Sequence, residues 1–409
     1  MADVDRRMSA LARGLPASAR LAALLPWALL IFVAAAFLLP TGPAYSLVFY
    51  ALVVAPAVAA SVNLPARLDP ARLTPARLDP GTALASLLIL WSGLTLIWGQ
   101  DDGHRSVRFA VDTLMTLVFL AAMLGGLATP GQRDRLCTVL IWAGAANAMF
   151  SIAIGFAFPQ PSERLHGWGA TSHPILGASV MGLAYLAALC RTLTRPEQWG
   201  RYLAACAAMA LFILFTESRG PMLAVFASTL FLCAAGPWRW RALGRLAALA
   251  VAWRLLPAGM RQHQAAVMVA RGSSHRFEIW HRTLELIGQR PLAGHGLAAN
   301  LDMPGITFPH DMYLSVLFYS GAVGFALFAG LAGFVCLRLW QGRTTQGWAR
   351  ADWLWLVAIW MNALLAGLTD LGQITKGPGP MWFIFWLPVG LVLAAPWVRP
   401  GALSPPAAA

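Results

Sequence analysis

Long, nearly uninterrupted apolar runs alternate with short polar segments along this chain. They fall at about 21–39, 45–62, 82–98, 107–127, 136–158, 174–190, 200–217, 220–236, 243–257, 311–337, 352–369 and 380–397. Nearly all are long enough to cross the hydrocarbon core as a helix, at 1.5 Å of rise per residue. None shows the ten-residue alternation of a barrel strand, and backbone polarity inside lipid must be satisfied within each segment, so the pattern predicts helices. The expected fold is all-α, a polytopic transmembrane helical bundle of about 12 spans. The run at 243–257 is the weakest, being short and carrying Arg254. Composition agrees: 58% of residues are hydrophobic and 11% charged, too little charge for the surface of a soluble domain of 409 residues.

Charge orients the bundle. The net formal charge is +13, and Lys376 is the sole lysine. With the N-terminus inside, about two thirds of the 30 basic residues fall on inward segments. Most of the outward ones lie between Arg254 and Arg290 in a single long loop, which the positive-inside rule does not govern. Both termini are therefore expected in the cytoplasm, with residues 1–409 forming a single membrane domain and 258–309 an outward loop between spans 9 and 10. Arg6, Arg7, Arg13 and Arg20 precede the first run, which exceeds a signal-peptide core and reads as a span. The repeat "PARLDPARLTPARLDP" at 65–80 has proline every fifth residue, which prevents a continuous helix and fits a solvated linker near anionic lipid. Arginines scattered between spans argue against nucleic-acid binding. The five cysteines lie in or at the ends of apolar segments, without metal-ligand spacing or a disulfide pattern.

The remaining polar residues gather on the outward side. Three inward-running spans begin with proline or glycine beside a polar group: "SHPILG" at 172–177, "ESRGPM" at 217–222 and "FPHDMY" at 308–313. Each presents free backbone N–H groups and the positive end of its dipole. With Arg164, Arg219 and Arg276 they make an electropositive bowl suited to a diphosphate. Within the loop, "SSHRFEIWHRTLELIGQRP" reads as a helix capped by Ser273 or Ser274 and stopped by Pro291. Phe277, Trp280, Leu284 and Ile287 form its apolar face, so it would lie along the interface or roof the bundle. Structural alternatives stay open at this point. Arg219 could snorkel from its helix end, Arg276 could pair with Glu278, and His310 could be an interfacial histidine. His166, His173, His275, His281 and His295 are also outward. No set of residues has the spacing of a zinc or di-iron site, and no DxD-type pair stands out.

At these residues the chain resembles the O-antigen ligase family, within the wider superfamily of O-antigen ligases and polymerases. That family carries His–[Asn/Ser/Gln], nine residues, then Gly-x-x-[Gly/Thr/Val], after a large periplasmic loop. Here His310 is followed by Asp311, the nine residues 312–320 and "GAVG" at 321–324. The spacing matches, and Asp311 departs from the usual amide or hydroxyl. "ESRGP" supplies Arg219, "HRFEIW…PLAGHG" supplies Arg276, and "ERLHGWGATSHPILG" supplies Arg164.

The resemblance implies a GT-C-like membrane glycosyltransferase of the bacterial inner membrane with its active site on the periplasmic face. It would move O-antigen glycan from undecaprenyl diphosphate to a sugar hydroxyl of lipid A–core. Diphosphate is already a good leaving group, so fixed cations suffice to stabilise its departure. The acceptor hydroxyl benefits from a base, and histidine as a residue type titrates in the right range. The expected roles are His310 as base, Arg276 and Arg219 as catalytic diphosphate ligands, and Arg164 as a further diphosphate contact. No cofactor and no metal is expected; the partners are the two glycolipids and membrane lipid. An O-antigen polymerase, a protein O-oligosaccharyltransferase and a transporter of polyprenyl-linked glycan are the rival readings.

Overall fold

The computed structural model describes residues 17–62, 79–99, 103–158, 164–236, 238–255, 275–343 and 350–395, with a few positions between 257 and 266. The apolar runs are helical throughout these segments. In chain order the helices are α1 (Ala17–Leu38), α2 (Gly42–Val48), α3 (Val54–Val62), α4 (Pro80–Leu94), α5 (His104–Gly126), α6 (Pro130–Ala157) and α7 (Pro174–Thr194). They continue as α8 (Trp199–Phe215), α9 (Arg219–Ala235), α10 (Arg239–Leu255), α11 (Arg276–Gln289), α12 (Met312–Gly342), α13 (Arg350–Asp370) and α14 (Leu387–Ala394). A π-helical turn, Phe49–Val53, joins α2 to α3, and a second, Trp382–Trp386, leads into α14. Among the described residues there is no strand, only an isolated bridge between Met303 and Ile306.

Nine stretches among the described residues are long and apolar enough to cross a membrane. They are Ser18–Leu38, Gly42–Ser61, Pro80–Ile97, His104–Gly126, Pro130–Ala157, Pro174–Thr194, Pro196–Phe215, Met312–Gly342 and Arg350–Asp370. Arg219–Ala235 and Trp382–Ala394 are shorter apolar helices. The helix on the weakest predicted run, α10, has 17 residues and carries Arg241, Arg245 and Arg254. Among the described residues nine helices thus meet the length and composition of a span, three fewer than the twelve apolar runs of the sequence.

Short polar side chains start several of these helices. Asp79 accepts the Thr82 backbone N–H (3.3 Å) with Pro80 in the first position, so the proline repeat ends as a helix start. The rest of that repeat, 65–78, lies outside the described residues. Thr129 and Gln132 form a reciprocal capping box on α6. Among the nine span-length helices α7 is the most enclosed, buried along almost its whole length and packed by α6, α8, α9 and α13. A second focus of packing is aromatic. Phe32, Phe49, Phe119 and Trp382 interlock, with Trp382 stacked on Phe119 (4.7 Å) and donating to the Thr116 hydroxyl (3.0 Å).

The loop helix α11 packs against the start of α5 and the first part of α12. Its start lies at Arg276, with His275 in the cap position and no side-chain cap bond; Ser273 and Ser274, the expected caps, lie outside the described residues. The packed side also differs from expectation. Ile279, Thr283 and Leu286 are buried against Phe109, Leu297, Phe318 and Tyr319, whereas Phe277 and Leu284 are 73% and 56% exposed. Ile279 and Leu286 are two turns apart and share a side with Thr283, so a stripe adjoining the one predicted faces the protein. The predicted stripe is split: Ile287 packs partly against the same cluster, and Phe277 and Leu284 stay at the surface.

Candidate active site

α12 begins where the chain turns through a left-handed residue. His310 has φ +54°, and the next residue, Asp311, caps the helix by accepting the Leu314 backbone N–H (2.8 Å). Burial pushes the Asp311 carboxyl above its ordinary range, and the backbone N–H bonds from Leu314 and Tyr313 offset part of this. The imidazole of His310 lies against the Phe308 ring (4.1 Å between centroids). Its Nδ1 is in close contact with Oδ1 of Asp370, the last residue of α13. Asp370 is 3% exposed. Its other oxygen lies 3.8 Å from Nη2 of Arg276, the first residue of α11. A single buried carboxylate therefore sits between His310 and Arg276.

A carboxylate only accepts hydrogen bonds, so the His310 nitrogen facing it carries a proton. That leaves Nε2 as the position able to take another. Asp370 was not among the residues singled out from sequence. Its only local signal is a carboxylate closing an apolar run, "AGLTDLGQ". Glu278, one of the alternative partners for Arg276, faces His275 (3.5 Å) at the surface.

The "GAVG" motif explains how the loop helix is held. At Gly321 α12 breaks, with φ +63° and ψ −169°, a conformation open essentially to glycine alone. The turn "PLAGHG" fills the break. Ala322 and Val323 donate to the carbonyls of Pro291 and Leu292 (2.8 and 3.2 Å), while His295 and Gly296 donate to those of Phe318 and Tyr319 (2.8 and 3.0 Å). A methyl group on Gly321 would lie 2.2 Å from the Leu292 carbonyl oxygen. Two segments of sequence noted separately thus form one joint, which ties α11 and its Arg276 to the helix that starts at His310.

The other arginines lie at the same end. Gly220 packs directly on Thr369, with an added Cβ only 2.1 Å from its hydroxyl, so the start of α9 abuts the residue before Asp370. Arg219, exposed at the first position of α9, is the neighbour of Gly220. Arg164 is held to the segment before it, donating to the Thr216 carbonyl (2.9 Å) and the Ser218 hydroxyl (2.8 Å). His173 caps α7 by accepting from Leu176 (3.4 Å). Desolvation holds its imidazole below the ordinary value against the field of Asp370. His166, His281 and His295 are each engaged locally, with Ser172, Glu285 and Leu286. A cavity of about 120 Å³ borders Asp370, walled also by Arg105, Thr307, Phe308, Tyr319, Gln373 and Lys376. Among the described residues, no group of three or more His, Cys, Asp or Glu could hold a metal ion.

The O-Antigen ligase family pattern matches residues 204–329, which run from α8 through the start of α9 and the loop helix into α12. That stretch is similar to the O-antigen ligase family. It contains Arg219, Arg276 and His310, while Asp370 and Arg164 lie outside it. The chain is also similar to an O-antigen ligase of Pseudomonas aeruginosa, 28% identical over 366 residues that cover 87% of this chain and 86% of that protein.

Proposed function

We propose that this protein is an O-antigen ligase that transfers glycan from undecaprenyl diphosphate to a sugar hydroxyl of lipid A–core on the periplasmic face of the inner membrane. The observation that carries this reading is the shared carboxylate, Asp370, in contact with both His310 and Arg276 at the edge of a cavity. The similarity to O-antigen ligases supports the reaction class.

In the proposed step Asp370 holds the Nδ1–H of His310, leaving Nε2 to receive the proton of the acceptor hydroxyl. The acceptor oxygen bonds to the anomeric carbon as the bond from that carbon to the diphosphate oxygen breaks. The electron pair leaves with the diphosphate, and Arg276 and Arg219 stabilise the charge it gains, with Arg164 behind them. Direct displacement inverts the anomeric centre. The donor carries its own activation, so the step uses no nucleotide sugar, metal or cofactor. In this reading the bundle crosses the membrane twelve times with both termini in the cytoplasm, and the helices carrying Arg219 and His310 begin on the periplasmic side.

Reconstitution with purified lipid-linked glycan and lipid A–core, with and without chelator, tests the proposal. Extended chains on lipid A–core in both conditions are the expected result. Polymerisation of the donor with lipid A–core untouched would instead make the protein a polymerase.

A further inference from the structure

A transferase needs an acceptor as well as a donor, and the structure holds a second cationic cluster beside the cavity that reaches Asp370. Arg105 and Arg108 stand one turn apart at the start of α5, and Lys376 lies opposite them in the loop between α13 and the turn into α14. This loop separates two cavities. Arg105 and Lys376 border the 120 Å³ cavity that reaches Asp370, whereas Arg108, Asp112, Tyr50 and Gly377 border a neighbouring one of about 430 Å³. The three cations crowd one another. Desolvation and the fields of Arg108 and Arg105 hold the Lys376 ammonium below its ordinary value, and Asp112 acts the other way. Arg105 is braced by the Asn300 side chain (2.6 Å), so its guanidinium is positioned before any ligand arrives. Between this cluster and Asp370, the smaller cavity presents Thr307, Tyr319 and Gln373 beside the Phe308 ring. Hydroxyls, an amide and an aromatic face suit a sugar; the outer cations suit an anion attached to it.

We propose that Arg105, Arg108 and Lys376 form the acceptor subsite, binding a phosphate or carboxylate of an anionic glycolipid while its sugar hydroxyl enters the cavity at Asp370. The proposal rests on the transferase reading for the purpose of the site, but its test is direct binding and does not require turnover. The diphosphate of the donor is assigned to Arg276 and Arg219, outside this cluster. Each lost cation removes a charge-assisted contact, so acceptor affinity falls about tenfold or more per substitution.

The experiment uses the full chain in nanodiscs and measures binding of two probes, lipid A–core and undecaprenyl diphosphate. Arg108→Ala and Lys376→Ala are compared with wild type, and Lys376→Arg serves as the charge-keeping control. Melting temperature confirms that each variant is folded. The expected result is weaker lipid A–core binding in both alanine variants, recovery in Lys376→Arg, unchanged undecaprenyl diphosphate binding, and weaker wild-type binding of lipid A–core stripped of phosphate. Unchanged lipid A–core binding, a loss confined to undecaprenyl diphosphate, or equal loss of both overturns the assignment. If lipid A–core binding behaves as expected and no glycan is ever transferred, the subsite stands and the ligase reading fails.

Discussion

Asp370→Asn isolates the central contact of the proposed site. The substitution keeps the shape of the side chain and removes the charge that faces both His310 Nδ1 and Arg276. Asp370 is 3% exposed, so water cannot replace what is lost. A hydrogen bond to a charged acceptor contributes about 1.5–3 kcal/mol. At 1.4 kcal/mol per tenfold, that corresponds to roughly 10- to 100-fold in rate if the bond matters equally in the transition state. The carboxylate should matter more there, because the imidazole gains a positive charge as it takes the acceptor proton. The amide can also present its NH₂ to Nδ1 and leave the proton on Nε2, which removes the base altogether. General-base assistance is typically worth about 10²–10⁴-fold, so turnover should fall by at least about 10²-fold. The assay is transfer of labelled glycan to lipid A–core in liposomes, with kcat and donor KM measured separately. Donor KM should change little, because Arg219 and the Arg276 guanidinium remain. The decisive comparison is the double variant with His310→Ala. If Asp370 acts through His310, the double variant is no slower than His310→Ala alone, since groups working as a unit are not additive. Two independent, multiplying losses, or wild-type turnover in Asp370→Asn, would refute the arrangement.

Arg276→Lys should lose most transfer activity, because an ammonium cannot reproduce the guanidinium fork toward a diphosphate while remaining near Asp370; wild-type kcat/KM would return Arg276 to a structural role. Gly321→Ala should lower the melting temperature in detergent by an amount corresponding to at least about 1–3 kcal/mol, since the residue needs φ +63° and its methyl would meet the Leu292 carbonyl at 2.2 Å; an unchanged melting curve would contradict the proposed joint. Asp311→Asn should keep the α12 cap while removing a desolvated charge. A carboxyl raised in the folded state binds more protons folded than unfolded, so its contribution weakens stability as pH rises from about 4 through the raised value. The variant should therefore match or exceed wild type in melting temperature at neutral pH and show a flatter profile in that window. A lower melting temperature at pH 7 would mean that the charge itself is needed.

What the sequence makes legible follows from how local each constraint is. Helical spans are written in contiguous apolar runs, because lipid forces each segment to satisfy its own backbone. The runs accordingly recur as helices, and α10, with three arginines among its described side chains, departs from the pattern where charge interrupts it. The face α11 packs is less legible. Its neighbours come from distant segments, Phe109 and Leu297 through Tyr319, so the most apolar stripe need not be the buried one. The helix starts are legible again. Asp311, outside the usual Asn, Ser or Gln of the motif, accepts the N–H that Asn or Ser would accept in the same position, so the departure preserves the cap.

The site divides along the same line. His310, Arg219 and Arg276 could be read because each lies beside a helix start with a recognisable sequence of small residues. The glycine spacing of "GAVG" carries further information, since Gly321 is the point where the "PLAGHG" backbone enters α12. A motif eleven residues from His310 thereby positions an arginine from another helix. Asp370 could not be read this way. It ends its helix as a lone carboxylate with no companion at a fixed offset, and it meets His310 only because Gly220, Gly367 and Gly372 let α9, Met312 and Phe308 close on the end of α13. Its pairing with His310 is a product of helix packing, not of any sequence interval. The geometry of the proposed site therefore depends on close packing at the end of α13 as well as on the charged groups that meet there. Filling one of these glycines, as in Gly220→Ala, whose methyl would meet the Thr369 Cβ at 2.4 Å, should displace the residue before Asp370 and lower glycan transfer in liposomes without changing His310 or Asp370 themselves; wild-type turnover would show that the close approach is not needed.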